Sequence, residues 1–127
     1  YALRLLDVAA VADDAAPVSL APDARTRMQQ SRAVVESLAA RGEAVYGVTT
    51  GFGKLSDIAI PAERLAQLQL NLVRSHAAGV GPRLEERFVR AMMLLRANCL
   101  AKGFSGARPE LVELLCAMLN ARLWPDV

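Results

Sequence analysis

The stretch from Leu84 to Ala101 constrains the fold most, because its apolar residues cover nearly the whole circumference of a helix. A helix that is apolar all round is buried on all sides. A chain of 127 residues can hardly bury such a helix alone, since a small domain hides only a limited share of its surface. The sequence therefore predicts that this helix packs against a larger body or against other subunits. Its apolar members are Phe88, Val89, Ala91, Met92, Met93, Leu94, Leu95, Ala97, Cys99 and Leu100.

Composition favours helices along the rest of the chain. The 23 Ala and 19 Leu make up a third of the residues, against two Ile. Ala and Leu are strong helix formers and poor strand residues, which predicts an all-α fold. Asp7 and Asn120 are candidate caps of the first and last helices. About five helices are predicted, over residues 1–12, 22–42, from 61 to a stop at Gly79, 84–101 and 109–120, with a brief extended piece at 18–20.

Charge and cysteine content exclude several classes of protein. The 15 Lys+Arg against 13 Asp+Glu give a net charge of +2, and the basic residues are scattered, which argues against a nucleic-acid partner. Apolar runs of about five residues argue against a membrane span, which needs about 20. Cys99, Cys116 and His76 are too few for a four-ligand zinc site, so no metal is expected. Two reduced, buried thiols and no secretory signal predict a cytoplasmic protein.

Residues 45–60 differ from the helical remainder. Three Gly and two Thr fall within ten positions without a helical period, which predicts a loop. A phosphate-binding loop is excluded, because Gly47 and Gly53 enclose five residues and Leu55 replaces the required hydroxyl. From the residues alone, Tyr46 is either a general acid or base beside this loop or a packed side chain. His76 is likewise either a satisfied core residue or a polar contact at a pocket wall.

Four ordered blocks of the chain resemble the aromatic amino acid lyases. Tyr46–Gly53 resembles their signature Tyr-Gly-(Val/Ile)-(Thr/Asn)-Thr-Gly-Phe-Gly. The other three blocks resemble the histidine ammonia-lyase branch of that family. They are Gln69–Gly81, Met93–Asn98 and Lys102–Pro109. The resemblance covers nearly the whole chain and is strongest from about residue 17 onward.

The resemblance implies an all-α fold in which four identical subunits share a central helical bundle. It also implies an enzyme that removes ammonia from an amino acid without oxidation. For histidine, the product is urocanate, and the reaction belongs to histidine catabolism. The expected partners are therefore the amino-acid substrate and further copies of the same chain.

The family's electrophile is 4-methylidene-imidazol-5-one (MIO), which forms by cyclisation of an Ala-Ser-Gly tripeptide. This sequence contains no Ala-Ser-Gly. By the resemblance, the tripeptide would lie beyond Val127. We therefore expect residues 1–127 to be the N-terminal fragment of a longer lyase subunit, and to be inactive alone.

The resemblance also implies a role for individual residues. Tyr46 would be the catalytic base that takes the β-proton of the substrate. His76, with its neighbour Ser75, would bind the substrate side chain, which suits a ring that carries a polar atom. The active-site loop that closes over the pocket would include Thr50, Gly51, Phe52 and Gly53.

Two other interpretations stay open on the sequence. The first is a tyrosine ammonia-lyase or aminomutase of the same family, because His76 pairs equally well with a phenol or an imidazole. The second is a non-catalytic helical interaction fragment, whose apolar helix faces serve only to bind other chains.

Overall fold

A computed structural model describes residues 3–41, 45, 46, 48–50 and 60–127. The all-α prediction is confirmed, since the described residues form five α-helices and no extended strand. None of the helices among them is long and apolar enough to cross a membrane. The helices are α1 (Leu5–Asp14), α2 (Pro22–Ala40), α3 (Leu65–His76, preceded by a 3₁₀ turn at Ala62–Arg64), α4 (Glu86–Ala101) and α5 (Pro109–Asn120).

The chain divides into two compact units. The first unit combines Tyr1–Arg32 with Gly81–Val127, and the second is Ala33–Val80. The first contains α1, α4 and α5, and the second contains α3 and the predicted loop. All of the predicted site residues belong to the second unit.

Helix α1 begins with a reciprocal cap, although Asp7 is not the capping residue that the sequence predicted. Arg4 is the N-cap, and its backbone N–H donates to the Asp7 carboxylate at 2.9 Å from three positions away. The Arg4 guanidinium also donates to this carboxylate, at 2.9 and 3.2 Å. These hydrogen bonds hold the pKa of Asp7 below its ordinary value. The helix ends at Ala15, whose φ of 52° is left-handed.

The first unit is built around α4, which packs against α1 and α5. The buried residues of α4 belong to two apolar clusters, one toward each end of the helix. The first cluster is Val11, Val89, Met93, Leu94 and Leu119. The second is Met28, Ala97, Leu100, Val112 and Cys116.

Helix α4 is not buried on all sides within this chain. Phe88, Met92 and Leu95 lie on its other face and keep about half of their surface exposed, at 50%, 50% and 49%. The residues present therefore cover one face of the helix. The sequence predicts that other parts of a longer chain or other subunits pack against α4, and this exposed face is where they would pack.

Polar contacts at the ends of the helices tie the first unit together. The half-buried Arg90 donates to the Ala12 carbonyl at 2.7 Å, and its guanidinium lies 4.8 Å from the centre of the Trp124 ring. The Asn120 side chain accepts from Val18 N–H at 2.9 Å and donates to Val18 C=O at 2.8 Å. The prediction of Asn120 as the C-terminal cap is wrong, because Asn120 is the last residue of α5 and Ala121 is its C-cap.

The two cysteines differ, and only one fits the prediction of buried thiols. Cys116 is buried in the second cluster, where burial and the nearby charge of Glu113 raise the pKa of its thiol. Cys99 is exposed in this chain, because it lies on the uncovered side of α4. Neither forms a disulfide among the described residues, which agrees with the expectation of free thiols.

Gly103, at the turn after α4, has little room for a side chain. Its φ is +79°, and a Cβ added there would lie 3.0 Å from the carbonyl carbon and the Cβ of Arg27. We expect Gly103→Ala to destabilise the protein by about 1–3 kcal/mol, measured as a lower urea midpoint. Gly79→Ala is the matched control, because a Cβ there meets nothing within 4 Å. Equal midpoints for the two variants would contradict the tight turn.

Candidate active site

Val45, Val48 and Thr49 are joined by hydrogen bonds that close a turn beside the predicted catalytic tyrosine, Tyr46. The Val45 carbonyl accepts hydrogen bonds from the backbone N–H groups of Val48 and Thr49, both at 3.0 Å. The Val45 N–H donates to Thr49 Oγ1 at 2.9 Å, which closes the turn in the opposite direction. Ile60 N–H donates to the Thr49 carbonyl at 3.0 Å, so the two ends of the predicted loop lie side by side.

The turn separates exposed from buried side chains. Tyr46 lies at its tip with 64% of its surface exposed, whereas Thr49 and Thr50 are buried at 7% and 2%. The Tyr46 side chain is therefore exposed, whereas the two threonines that follow it are buried. Of the remaining predicted loop residues, Gly51, Phe52 and Gly53 lie outside the described residues.

Thr49 was missed by the sequence interpretation, which gave it no role. The buried hydroxyl receives the Val45 N–H, and the only signal for it was the Val-Thr-Thr run itself. We expect Thr49→Val to weaken the turn by about 0.5–1.5 kcal/mol, because the variant keeps the volume and loses the acceptor. The measurement is faster hydrogen exchange at the Val45 amide, with Thr49→Ser as the control that retains the hydroxyl. Unchanged protection in Thr49→Val would show that the hydroxyl does not hold the turn.

The last turn of α3 brings Ser75 and His76 together around one carbonyl. Ser75 Oγ donates to the Leu72 carbonyl oxygen at 2.9 Å. His76 Nδ1 lies 2.9 Å from the same oxygen and 3.1 Å from Ser75 Oγ. Both side chains are exposed, and the helix ends at His76. One nitrogen of the imidazole, Nδ1, thus contacts a carbonyl of its own helix, and the His76 side chain is exposed.

The described side chains of α3 differ between its two faces. Leu68 and Leu72, on the face that leads to His76, are half-buried. On the other face Gln67 donates from its side-chain amide to Asn71 at 2.8 Å, which links two exposed residues four positions apart. His76 is therefore the polar end of a mainly apolar face, and it is not a buried core residue in this chain.

A separate cavity of about 240 Å³ lies in the first unit, between the start of α2, α4 and α5. Its floor is apolar, with Leu94, Ala97, Val112 and Cys116. None of the predicted site residues lines it. Over the described part of the chain, no three His, Cys, Asp or Glu side chains are grouped to hold a metal ion.

The chain with these helices, the turn closed by Val45 and Thr49, and the Ser75–His76 pair is matched over nearly its whole length by one family model. The family model described as aromatic amino acid lyase matches residues 3–127. The chain therefore belongs to the aromatic amino acid lyase family, and the resemblance drawn from its motifs is confirmed.

Individual relatives agree with this assignment. The chain is 47% identical to the histidine ammonia-lyase of Geobacillus thermodenitrificans over 127 residues, which are 100% of this chain and 25% of the relative. It is 53% identical to that of Anaeromyxobacter dehalogenans over 125 residues, 98% of this chain and 25% of the relative. The solved tyrosine aminomutase of Streptomyces globisporus matches with a TM-score of 0.93 at 38% identity, over 98% of this chain and 24% of that one. The chain thus spans about a quarter of the length of the curated relatives it matches.

Proposed function

We propose that residues 1–127 are the N-terminal part of a histidine ammonia-lyase, which converts L-histidine to urocanate and ammonia. The observation that carries the proposal is the pair of exposed polar groups in the Ala33–Val80 unit. One is the phenol of Tyr46, presented by an anchored turn, and the other is the imidazole of His76, fixed at a helix end. The similarity to histidine ammonia-lyases over the whole chain supports histidine as the substrate.

In this proposal, Tyr46 is the catalytic base. Its Oη takes the β-proton of the substrate, a weakly acidic C–H that needs a precisely positioned acceptor. The turn closed by Val45 and Thr49 provides that position, because its hydrogen bonds fix the backbone on both sides of the tyrosine. Thr50, together with Gly51, Phe52 and Gly53, forms the loop that excludes water from the pocket.

His76 binds the ring of the substrate. A buried polar group that faces an apolar ring costs about 1–3 kcal/mol, so a site with this imidazole favours a ring that carries a polar atom. Ser75 is part of the same site through its contact with the imidazole.

MIO is part of the proposal for the complete enzyme, and it supplies the electrophile that activates the amino group for elimination. Residues 1–127 contain no Ala-Ser-Gly, so other residues must form it. The groups of this chain are compatible with an electrophile supplied from elsewhere, because the Tyr46 and His76 side chains are exposed. Without that group, the 127 residues alone are expected to release no ammonia from histidine.

The proposal includes a cytoplasmic homotetramer. The half-exposed apolar face of α4 supports further packing, since Phe88, Met92 and Leu95 are large and uncovered by the described residues. Either the rest of the subunit or a neighbouring subunit would cover this face.

A second candidate is a tyrosine-specific member of the same family, favoured by the close structural match to tyrosine aminomutase. The deciding experiment supplies the full-length protein with L-histidine or L-tyrosine and follows the absorbance of urocanate or of coumarate, with released ammonia as a second readout. Histidine turnover supports the proposal. Turnover or isomerisation of tyrosine alone supports the second candidate. No reaction with either amino acid would favour a non-catalytic helical protein.

A further inference from the structure

The cavity of the first unit is enclosed by parts of the structure that are held in place. Its floor consists of buried core side chains, which are Leu94, Ala97, Val112 and Cys116. One wall is the extended piece at residues 18–20, and two hydrogen bonds between Val18 and the Asn120 side chain hold that piece. The cavity therefore exists before any molecule binds, as is usual for small-molecule sites.

The volume of the cavity limits the size of a molecule that fits it. An apolar cavity of about 150 Å³ accommodates a benzene ring. The volume here is about 240 Å³. The remaining volume, about 90 Å³, holds about three to five further non-hydrogen atoms at a similar volume per atom. The cavity thus fits one ring with a short side chain.

The mouth of the cavity carries one positive charge that has no ion-pair partner among the described residues. That charge belongs to Lys102, which is exposed. Asp23 and Arg27 also border the cavity, but they pair with each other at 2.8 Å. The start of α2 and the end of α4 lie there too, and their opposite partial charges largely cancel. The half-buried Asn98 adds a side-chain amide, which likewise has no hydrogen-bond partner within the described part of the chain.

We propose that this cavity binds a small monocarboxylate with an apolar body the size of one ring. The ring lies on the apolar floor, where burial of its surface provides most of the affinity. The carboxylate lies at the mouth, where the Lys102 ammonium and the Asn98 amide donate hydrogen bonds to it. An amino acid is disfavoured, because its own ammonium group would bring a second positive charge to Lys102. None of Tyr46, Ser75 and His76 lines the cavity, so this site is additional to the proposed active site and independent of the proposed function.

Cys116 reports whether the cavity is occupied, because its side chain forms part of the floor. The test treats the full-length protein with iodoacetamide and follows alkylation of each cysteine by peptide mass spectrometry. We expect 3-phenylpropanoate at ten times its Kd to slow alkylation of Cys116 by about tenfold, because the open site is depleted by that factor. Cys99 does not line the cavity and is the internal control, whose rate should not change. Alkylation of Cys116 at the same rate with and without the ligand would overturn the proposal.

Direct binding to the full-length protein tests the role of the charge and needs no reactive thiol. Ligand-observed NMR gives the Kd of 3-phenylpropanoate and of its uncharged analogue, 3-phenylpropan-1-ol. Lys102→Met keeps the stem of the side chain and removes the ammonium group. In this variant we expect the Kd of the acid to rise by about 2- to 5-fold, the range for an exposed charge pair, and that of the alcohol to stay unchanged. Equal effects on the two ligands, including no effect on either, would overturn the placement of the carboxylate at Lys102.

Filling the cavity locates the site. Ala101 lines the cavity, and Ala101→Leu should raise the Kd of both ligands by about 5- to 150-fold, the range for overpacking. Ala9→Leu is the matched control, because Ala9 is exposed on α1 and does not line the cavity. Urea unfolding shows whether both variants are folded. Unchanged binding in folded Ala101→Leu would overturn the proposal, and so would a lack of binding to the unsubstituted protein, the result expected if other parts of the full-length subunit fill the cavity. None of these readouts is turnover, so they are separate from a failure of the proposed function.

Discussion

Replacing Tyr46 by Phe in the full-length enzyme is expected to lower kcat by about 10²- to 10⁴-fold while KM changes little. This range is what general base catalysis typically contributes. The substitution removes one hydroxyl and keeps the ring, so the packing volume is nearly unchanged. Tyr46 is 64% exposed, which means that little buried structure depends on it.

The measurement is steady-state kinetics on histidine, together with thermal or urea unfolding of the same samples. A purely structural tyrosine would lose about 0.5–1.5 kcal/mol of stability through one hydrogen bond and would leave kcat nearly intact. Thr49→Val is the informative companion, because it loosens the turn without touching the phenol. A smaller loss of kcat in Thr49→Val than in Tyr46→Phe would show that catalysis depends more on the Tyr46 hydroxyl than on the hydrogen bond that closes the turn. Near-normal turnover in Tyr46→Phe would exclude Tyr46 as the base.

The helices were predictable because their signals are local. Pro22 and Pro109 stand at the first positions of α2 and α5, as their fixed φ and missing N–H favour. The Gly and Thr content of residues 45–60 predicts a loop, most of which lies outside the described residues. The all-α class followed from Ala and Leu alone, and none of these inferences needed a distant contact.

The two wrong cap predictions have different causes. At Asn120, the side-chain amide pairs with Val18, 102 positions away, and Ala121 takes the C-cap position of α5. At Asp7, the cause is local, because Arg4 is the N-cap and supplies both a backbone and a side-chain donor to the carboxylate three positions later. The turn after α4 is tight because Arg27 lies against Gly103, a contact that no local pattern announces.

For the candidate site, too, the sequence predicts residues but not the contacts that position them. The motif and the resemblance predict Tyr46, Ser75 and His76 as site residues, and the structure places the last two in contact. The motif did not reveal that Thr49 closes the turn or that the Leu72 carbonyl fixes the imidazole, since both depend on backbone geometry. Ser75 is predicted to bind the substrate, and in the structure its hydroxyl donates to the Leu72 carbonyl of its own helix.

His76→Leu is expected to change which amino acid the full-length enzyme prefers. Removing the imidazole takes away the hydrogen-bond partner of the histidine ring, so KM for histidine should rise by about 5- to 150-fold. Leu also removes the polar group that a phenyl ring would otherwise bury unpaired. Relative acceptance of phenylalanine should therefore increase, as measured by the ratio of kcat/KM for the two amino acids.

The control for this exchange is Arg74→Leu, which adds the same side chain at an exposed position two residues earlier in α3. It should leave the ratio of the two substrates unchanged, because it alters the surface charge without altering the contacts around Leu72. A shift in His76→Leu alone would link substrate choice to the imidazole. Because the ring is held by its own helix, its replacement should not disturb the Val45–Thr49 turn, and kcat for any accepted substrate should stay far above that of Tyr46→Phe. An unchanged histidine-to-phenylalanine preference in His76→Leu would remove the main physical reason for choosing histidine over other aromatic substrates.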